Sequence, residues 1–434
     1  MTSSLHVVHY LSLLVLLHHG LSVPQPEQVH ISLTGDLSQM QVTWLTMEPV
    51  SGQPYVKYGR LEDDLKYKNP GVKDSFTDNG PQRKVRYVYT AQMTNLKPDT
   101  YYYYSVGSAN GAFSKVFKFK TFPQGEFPIK ICIYGDLGIQ NGQFNDIIHG
   151  KEQGYYDMII HVGDLAYDLF TENGDYGDEF FRIMEPVTST IPYMVIPGNH
   201  EQDVNLDFLH YRKRLVMPGK GSALHGLYYS FNLGLFHFAG LNSESYALSR
   251  TDETIDQFQW LKQDLDKTTA PWIFTAIHRP MYCSNSRPWY DPSNDCNGSD
   301  NIAIRVGDGN MPGLEQLYME KGVDIAFYGH MHSYERMWPV YNKVAYKQQD
   351  RDRTYNAPTP IHVVTGSAGC HTPHTRQDKN EKWSAVRSDD YGVTVVHLYN
   401  ATHAHLRQFS TEQHADVDQY WLIKDEGYRP GRQP

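Results

Sequence analysis

The feature that most constrains this chain is a change of hydrophobic rhythm near Pro123. Before it, from about Pro24, apolar residues recur at every second position: Val29, Ile31 and Leu33, then Met40, Val42 and Trp44, then Phe117 and Phe119 between lysines. A period of two places one face of each strand in a core and the other in water, and turn residues separate the runs. This predicts an antiparallel β-sandwich of roughly a hundred residues, in which the turn from Asn95 to Thr100 feeds a strand from Tyr101 to Val106. After Pro123-Gln124-Gly125 the apolar runs become short and uninterrupted: Ile129 to Tyr134, Met158 to Val162, Tyr193 to Ile196, Trp272 to Ile277 and Ile325 to Tyr328. Strands covered on both faces read this way. Between them Phe144, Ile147 and Ile148 repeat at helical spacing, as do Ile255, Phe258, Leu261 and Leu265 behind a Thr251 or Asp252 cap. With strand-rich stretches near Leu227 to Phe238 and Ile361 to Phe409, the pattern predicts an α/β sandwich with mixed sheets. Residues beyond about Ser410 read as a polar tail.

A chain of 434 residues exceeds one ordinary core, so the rhythm change is read as a domain boundary. The expected division is a leader over 1–22, the β-sandwich over 23–123, the α/β domain over 124–410 and the tail over 411–434. Leu11 to Leu17 is an aliphatic run followed by small residues at Gly20 and Ser22, as in a secretory leader cleaved after Ser22. No Lys or Arg precedes the run, and an uncleaved anchor is the alternative. Four cysteines allow three pairings. In an oxidising compartment the expected disulfide joins Cys283 and Cys296, which flank one loop, while Cys132 lies inside an apolar strand as a buried thiol. Glycan acceptors at Asn297 and at Asn400, the latter on a hairpin tip, suit the same compartment. A formal net charge of −10 supplies no basic field for nucleic acid.

The chemistry lies where the short runs end. They lead into Gly135-Asp136-Leu137-Gly138, Gly163-Asp164-Leu165-Ala166-Tyr167, Gly198-Asn199-His200-Glu201, His278 and Gly329-His330-Met331-His332. In α/β sheets ligands bind at the carboxyl ends of strands. Taken singly, each block has a plain explanation, since Asp136, Asp164 or Asn199 could cap a following helix and a lone histidine is usually packing. Five successive strand ends that all supply oxygen or imidazole donors point instead to metal. Two aspartates, an asparagine, three histidines and a tyrosine exceed what one ion can use, so two ions sharing a carboxylate are expected. Such a pair, roughly 3.5 to 4 Å apart, activates a shared water and clamps a phosphate during in-line displacement.

In this order the five blocks resemble those of the purple acid phosphatases, within the wider calcineurin-like metallophosphoesterases. The N-terminal turn-and-tyrosine pattern resembles a fibronectin type III module, as in the large plant and animal members. The resemblance spans about Val23 to Phe409 and implies a fibronectin III-like β-sandwich followed by an αββα catalytic sandwich. It implies further that Asp136, Tyr167 and His332 bind Fe³⁺, that Asp164 bridges, and that Asn199, His278 and His330 bind a divalent ion, Zn²⁺ or Fe²⁺. His200 is expected beyond the ligand shell, positioning substrate or protonating the leaving group, with a purely structural histidine as the alternative. The implied activity is hydrolysis of small phosphate monoesters by a secreted or endolysosomal enzyme working below pH 7. The alternatives are a phosphodiesterase or nucleotide pyrophosphatase using the same ions, and an extracellular binding protein with a vestigial site. One departure matters: plant members carry further histidines after the His278 position, whereas Arg279 to Asp300 contains none and offers Arg279, Asn285, Arg287 and Tyr290. Arg336, shortly after the last block, is read either as a cation behind the site or as half of a salt bridge.

Overall fold

The computed structural model describes residues 23–219, 226–285, 296, 298–370 and 380–431. The alternating segments form seven antiparallel strands, from Glu27–Ser32 to Phe117–Lys120. The long strand Tyr67–Thr77 makes the sheet fold over: Tyr67 to Pro70 pair with Pro54–Gly59, and Gly71 to Thr77 pair with Val85–Met93. The inward positions close on one another as a sandwich, with Val42, Trp44, Val56, Tyr89, Tyr104 and Val106 in the core. Trp44 and Tyr89 stack with ring centroids 5.5 Å apart.

The five uninterrupted runs are all strands, with the bounds expected of them. Ile129–Tyr134, Met158–Val162 and Tyr193–Ile196 run parallel in one mixed seven-stranded sheet, whose antiparallel half includes Gly392–Leu398, His403–Ser410 and Ala415–Ile423. Trp272–Ile277 and Ile325–Tyr328 run parallel in a second mixed sheet, beside Phe236–Leu241 and Ile361–Thr365. Alternation in this second sheet explains the continuous hydrophobicity. Phe236, Phe238, Phe274, Phe327 and Val363 face the first sheet, whereas Leu241, Ile273, Ile277, Ala326 and Val364 pack with Leu261 and Leu265 of the helix Thr251–Lys267 and with Leu317 of Glu315–Lys321. On the far side of the first sheet lie the helices Phe144–Glu152 and Asp175–Thr188, which contribute Phe144, Ile147, Phe180 and Met184 to the core. The result is the helix–sheet–sheet–helix sandwich that the family resemblance implied.

Two expectations are corrected. The segment beyond Ser410 is no polar tail. Ala415–Ile423 pairs with both His403–Ser410 and Arg353–Tyr355, burying Asp418, Tyr420 and Leu422. The helix Thr251–Lys267 starts after Arg250 without a side-chain cap, and its buried stripe is Thr254, Gln257, Leu261 and Leu265. Ile255 lies only half-buried, whereas Gln257 turns inward and holds the Asn242 backbone at 2.7 and 3.0 Å. Of the two readings of Arg336, the salt bridge is the one that holds. Its buried guanidinium binds Asp418 at 2.7 and 3.1 Å and lies 3.9 Å from the Tyr420 ring centroid, so both partners come from the segment read as tail.

Cys283 and Cys296 form a disulfide, and Cys132 and Cys370 are buried and not disulfide-bonded. Asn400 is exposed between the paired strands Gly392–Leu398 and His403–Ser410. The leader segment 1–22 and Asn297 lie outside the described residues, as do Arg287 and Tyr290.

Candidate metal centre

The carboxyl ends of the five parallel strands meet at one place between the two sheets. The chain must turn sharply there, and Asp136, Asp164, Tyr167 and His330 all adopt left-handed backbone, with φ of 61°, 53°, 54° and 69°. Such conformations are costly for residues with a Cβ and recur where function demands a particular side-chain direction. The glycines before them are required by crowding. A Cβ on Gly198 would lie 2.2 Å from an Asp164 carboxylate oxygen, and one on Gly163 would lie 2.6 Å from His278 Nδ1.

All seven expected donors converge, in two groups. In the first, Tyr167 Oη donates to Asp136 Oδ1 at 2.9 Å and lies 3.0 Å from His332 Nε2, which is itself 3.4 Å from Asp136 Oδ1. In the second, His278 Nε2 lies 3.1 Å from Asp164 Oδ2 and 3.2 Å from Asn199 Oδ1, and His330 Nδ1 lies 2.8 Å from that same amide oxygen. The groups are joined by the His330 backbone N–H, which donates to Asp136 Oδ2 at 2.8 Å. A cleft of about 480 Å³ elsewhere, lined by Tyr101, Lys118 and Lys151, contains none of these donors.

Whether the residues suit cations can be judged from their lone pairs. His278 Nδ1 lies 2.8 Å from the Val162 carbonyl, an acceptor, so Nδ1 carries the proton and Nε2 of the neutral ring presents a lone pair. That lone pair faces a carboxylate oxygen and an amide oxygen, both acceptors too. Acceptors gathered this closely need positive charge among them. Burial alone would lower the His278 pKa, yet the Asp164 carboxylate outweighs it and raises the ring to about 10, a proton serving where a cation fits. Burial, with the Asp136 and Asp164 carboxylates, pushes the Tyr167 hydroxyl well above its ordinary pKa. Only a strongly polarising ion would take its proton. The donor set therefore fits metal, with two imidazoles, an amide and a carboxylate in one group and a phenol, a carboxylate and an imidazole in the other.

Comparison with known proteins gives three family matches in chain order. They are the purple acid phosphatase N-terminal domain over residues 26–121, the calcineurin-like phosphoesterase domain over 129–334, and the iron/zinc purple acid phosphatase-like C-terminal domain over 359–419. Acid phosphatase type 7 of Mus musculus is 37% identical over 92% of this chain and 91% of its own length. The chain belongs to the purple acid phosphatase family. With that family come metal-dependent phosphoester hydrolysis and an iron/zinc centre. Purple acid phosphatase 18 of Arabidopsis thaliana is 31% identical over 87% of this chain and 80% of its own length. Among solved structures, a purple acid phosphatase from yellow lupin seeds shares the fold with a TM-score of 0.79 at 24% identity, covering 93% of this chain and 75% of its own.

Around the donors lie His200 and other residues whose partners the sequence blocks did not show. His200 is not among the converging atoms. Its side chain is 33% exposed where the flanking donors are nearly closed off, and its Nδ1 lies 2.5 Å from Asp168 Oδ1. Asp168 directly follows the tyrosine of its block, but no spacing rule pairs it with His200. Glu201 is buried and accepts three backbone N–H bonds, from Asp164, Leu165 and Gly198 at 2.7 to 2.8 Å, so it clamps two blocks together. Arg279 is held by the buried Glu244, with Nε 2.9 Å and Nη2 3.0 Å from its carboxylate. Asn285, one of the loop groups offered in place of histidine, is buried and donates to Ser333 Oγ at 3.1 Å. Cys370 hydrogen-bonds to His332 through its side chain.

Proposed function

We propose that this purple acid phosphatase hydrolyses small phosphate monoesters, with Asp136, Tyr167 and His332 holding Fe³⁺, Asp164 bridging, and Asn199, His278 and His330 holding Zn²⁺ or Fe²⁺. The observation that carries this reading is the crowding of acceptors around Asn199 and Asp164, beside a phenol hydrogen-bonded to a buried carboxylate. The ions would supply an activated water and neutralise the phosphate. The chain's own residues do the rest. Glu201 fixes the two turns that present Asp164 and Asn199, and the His200 backbone N–H orients Asp164 by donating to Oδ1 at 2.9 Å. The His200 ring, oriented by Asp168 and open on one side, is placed to give a proton to the departing alkoxide.

The compartment belongs to the same proposal: a leader over 1–22, glycans on Asn297 and Asn400, and residence outside the cell or in the endolysosomal lumen. The disulfide between Cys283 and Cys296 supports an oxidising route. Among the described residues no helix is long and apolar enough to cross a membrane. The domain reading becomes a sandwich over 23–123 and a catalytic domain from 124 that includes the last strand.

The test is metal analysis and a visible spectrum of the purified full-length protein, with turnover compared on an aryl monoester, a mononucleotide and an aryl diester. One iron and one divalent ion per chain, with the monoester turned over fastest, is the expected result. A diester preference would reassign the enzyme to phosphodiesters, and a protein without bound metal would remove the proposal.

A further inference from the structure

A ligating imidazole is governed by its other nitrogen, which must carry the proton and find an acceptor. His278 meets this condition through Val162. His330 does not. It turns Nδ1 toward Asn199 and sends Nε2 out of the cluster, where the neighbour 3.3 Å away is Arg279 Nη1. A guanidinium nitrogen can only donate. With Nδ1 given to a cation, Nε2–H would face another donor across hydrogen-bonding distance, and something must come between them.

Arg279 cannot simply withdraw. Glu244 grips it along one edge and is itself held by Gln202 Nε2 at 2.6 Å and Ser243 Oγ at 2.8 Å. Among the described residues a carboxylate within reach is Asp300, in the first turn of the helix Ser299–Val306, whose Oδ2 lies 3.4 Å from Arg279 Nη1. That distance is long for a charge-assisted bond, and the Asp300 side chain is 32% exposed, so it has room to swing.

On the reading that His330 is a ligand of the divalent ion, we propose that Asp300 accepts hydrogen bonds from both His330 Nε2–H and Arg279 Nη1–H. It thereby completes a carboxylate–histidine–metal arm that Glu244 and Arg279 position. Asp300 is then a positioning residue for divalent-metal affinity, with no contact to substrate. Its equivalent for His278 is a backbone carbonyl, which no substitution can remove. The arm through His330 is the adjustable one.

The test uses the iron-loaded full chain and Zn²⁺ as the probe, titrated against a competing chelator. Asp300→Asn keeps the shape but offers a weaker acceptor, and Asp300→Ala removes it. Both should weaken Zn²⁺ binding by about 10- to 100-fold, the usual effect of losing such a partner. The visible iron absorption should stay unchanged, and Asp300→Glu should recover part of the affinity. Should Asp300→Ala fail to fold, the isosteric Asn variant still decides. Zn²⁺ affinity of Asp300→Asn within about fivefold of the parent would overturn the proposal, because a missing acceptor for a ligand histidine costs more than that. His330→Ala separates the two readings. If it binds Zn²⁺ as well as the parent, the ligand assignment has failed; if it loses Zn²⁺ while Asp300→Asn does not, only the positioning role has.

Discussion

Each side chain at the centre is defined by what its neighbours leave it able to do. Tyr167, buried and donating to Asp136, becomes a phenolate only under a strongly polarising ion. Tyr167→Phe should therefore abolish the visible absorption of the iron-loaded protein while leaving the far-ultraviolet circular dichroism unchanged; a variant that kept its colour would exclude Tyr167 as the iron ligand. Asp164 serves both groups in the proposed arrangement, so Asp164→Asn should lose bound metal and activity together, read by metal content beside kcat. His200 should behave differently because its ring Nδ1 is bound to Asp168 and it is the backbone N–H, not the ring, that orients Asp164. His200→Ala is expected to keep both ions and lose about 10²- to 10⁴-fold in kcat, the range for a positioned general acid. Metal loss from that variant would place the His200 ring among the ligands instead.

At the scale of elements, the sandwich is tied to the catalytic domain by a buried ionic cluster at the start of the helix Asp175–Thr188. Arg86, from strand Val85–Met93, reaches Asp178 at 2.8 Å and Asp175 at 3.0 Å, and Arg214 reaches Asp178 at 2.7 Å. The helix N-terminus favours both carboxylates. Burial alone would raise Asp178, but the Arg214 and Arg86 guanidinium groups outweigh it and hold the carboxyl down, at about 2. A depressed folded-state value means that the stabilisation is complete above the ordinary value of 3.8 and is lost as pH falls toward 2. The junction thus stays intact through mild acid. Asp178→Asn leaves two guanidinium groups under-compensated and should lose about 3 kcal/mol at pH 6. Its urea midpoint, compared with the parent's, should show a gap that is constant from about pH 5 to 7 and closes from about pH 4 downward. A gap independent of pH would mean that Asp178 acts through packing alone.

Over the whole molecule, the last strand ties the two catalytic sheets together. Asp418 in Ala415–Ile423 binds Arg336 and Tyr334, which follow the His332 block in the other sheet, and Lys424 binds Asp324 at 2.6 Å beside the start of Ile325–Tyr328. Removing one member of such a pair strands a buried charge. Asp418→Ala should lower stability by about 3 to 5 kcal/mol, whereas joint replacement by apolar residues, Arg336→Met with Asp418→Leu, should recover most of the loss. Thermal unfolding of the three variants decides this, and equal losses in the single and double variants would show that the pair is not the source of the effect.

The strands and the polar side chains at their ends were legible in the chain because short apolar runs ending in Gly-Asp, Gly-Asn or Gly-His carry both signals locally. A strand covered on both faces must be continuously apolar, and a donor needed at its end must follow immediately. Hence Asp136, Asp164, Asn199, His278 and His330 could be named from their own neighbourhoods. What surrounds them could not. Asp168 meets His200 from another strand end, Glu244 meets Arg279 across 35 residues, and Asp418 meets Arg336 across 82. Ala415–Ile423 looked polar because a strand paired on both edges but solvated on one face needs few apolar residues. Only the folded sheets reveal what its inward side chains bind. A side chain's partner depends on distance in space, and a local pattern records distance only along the chain.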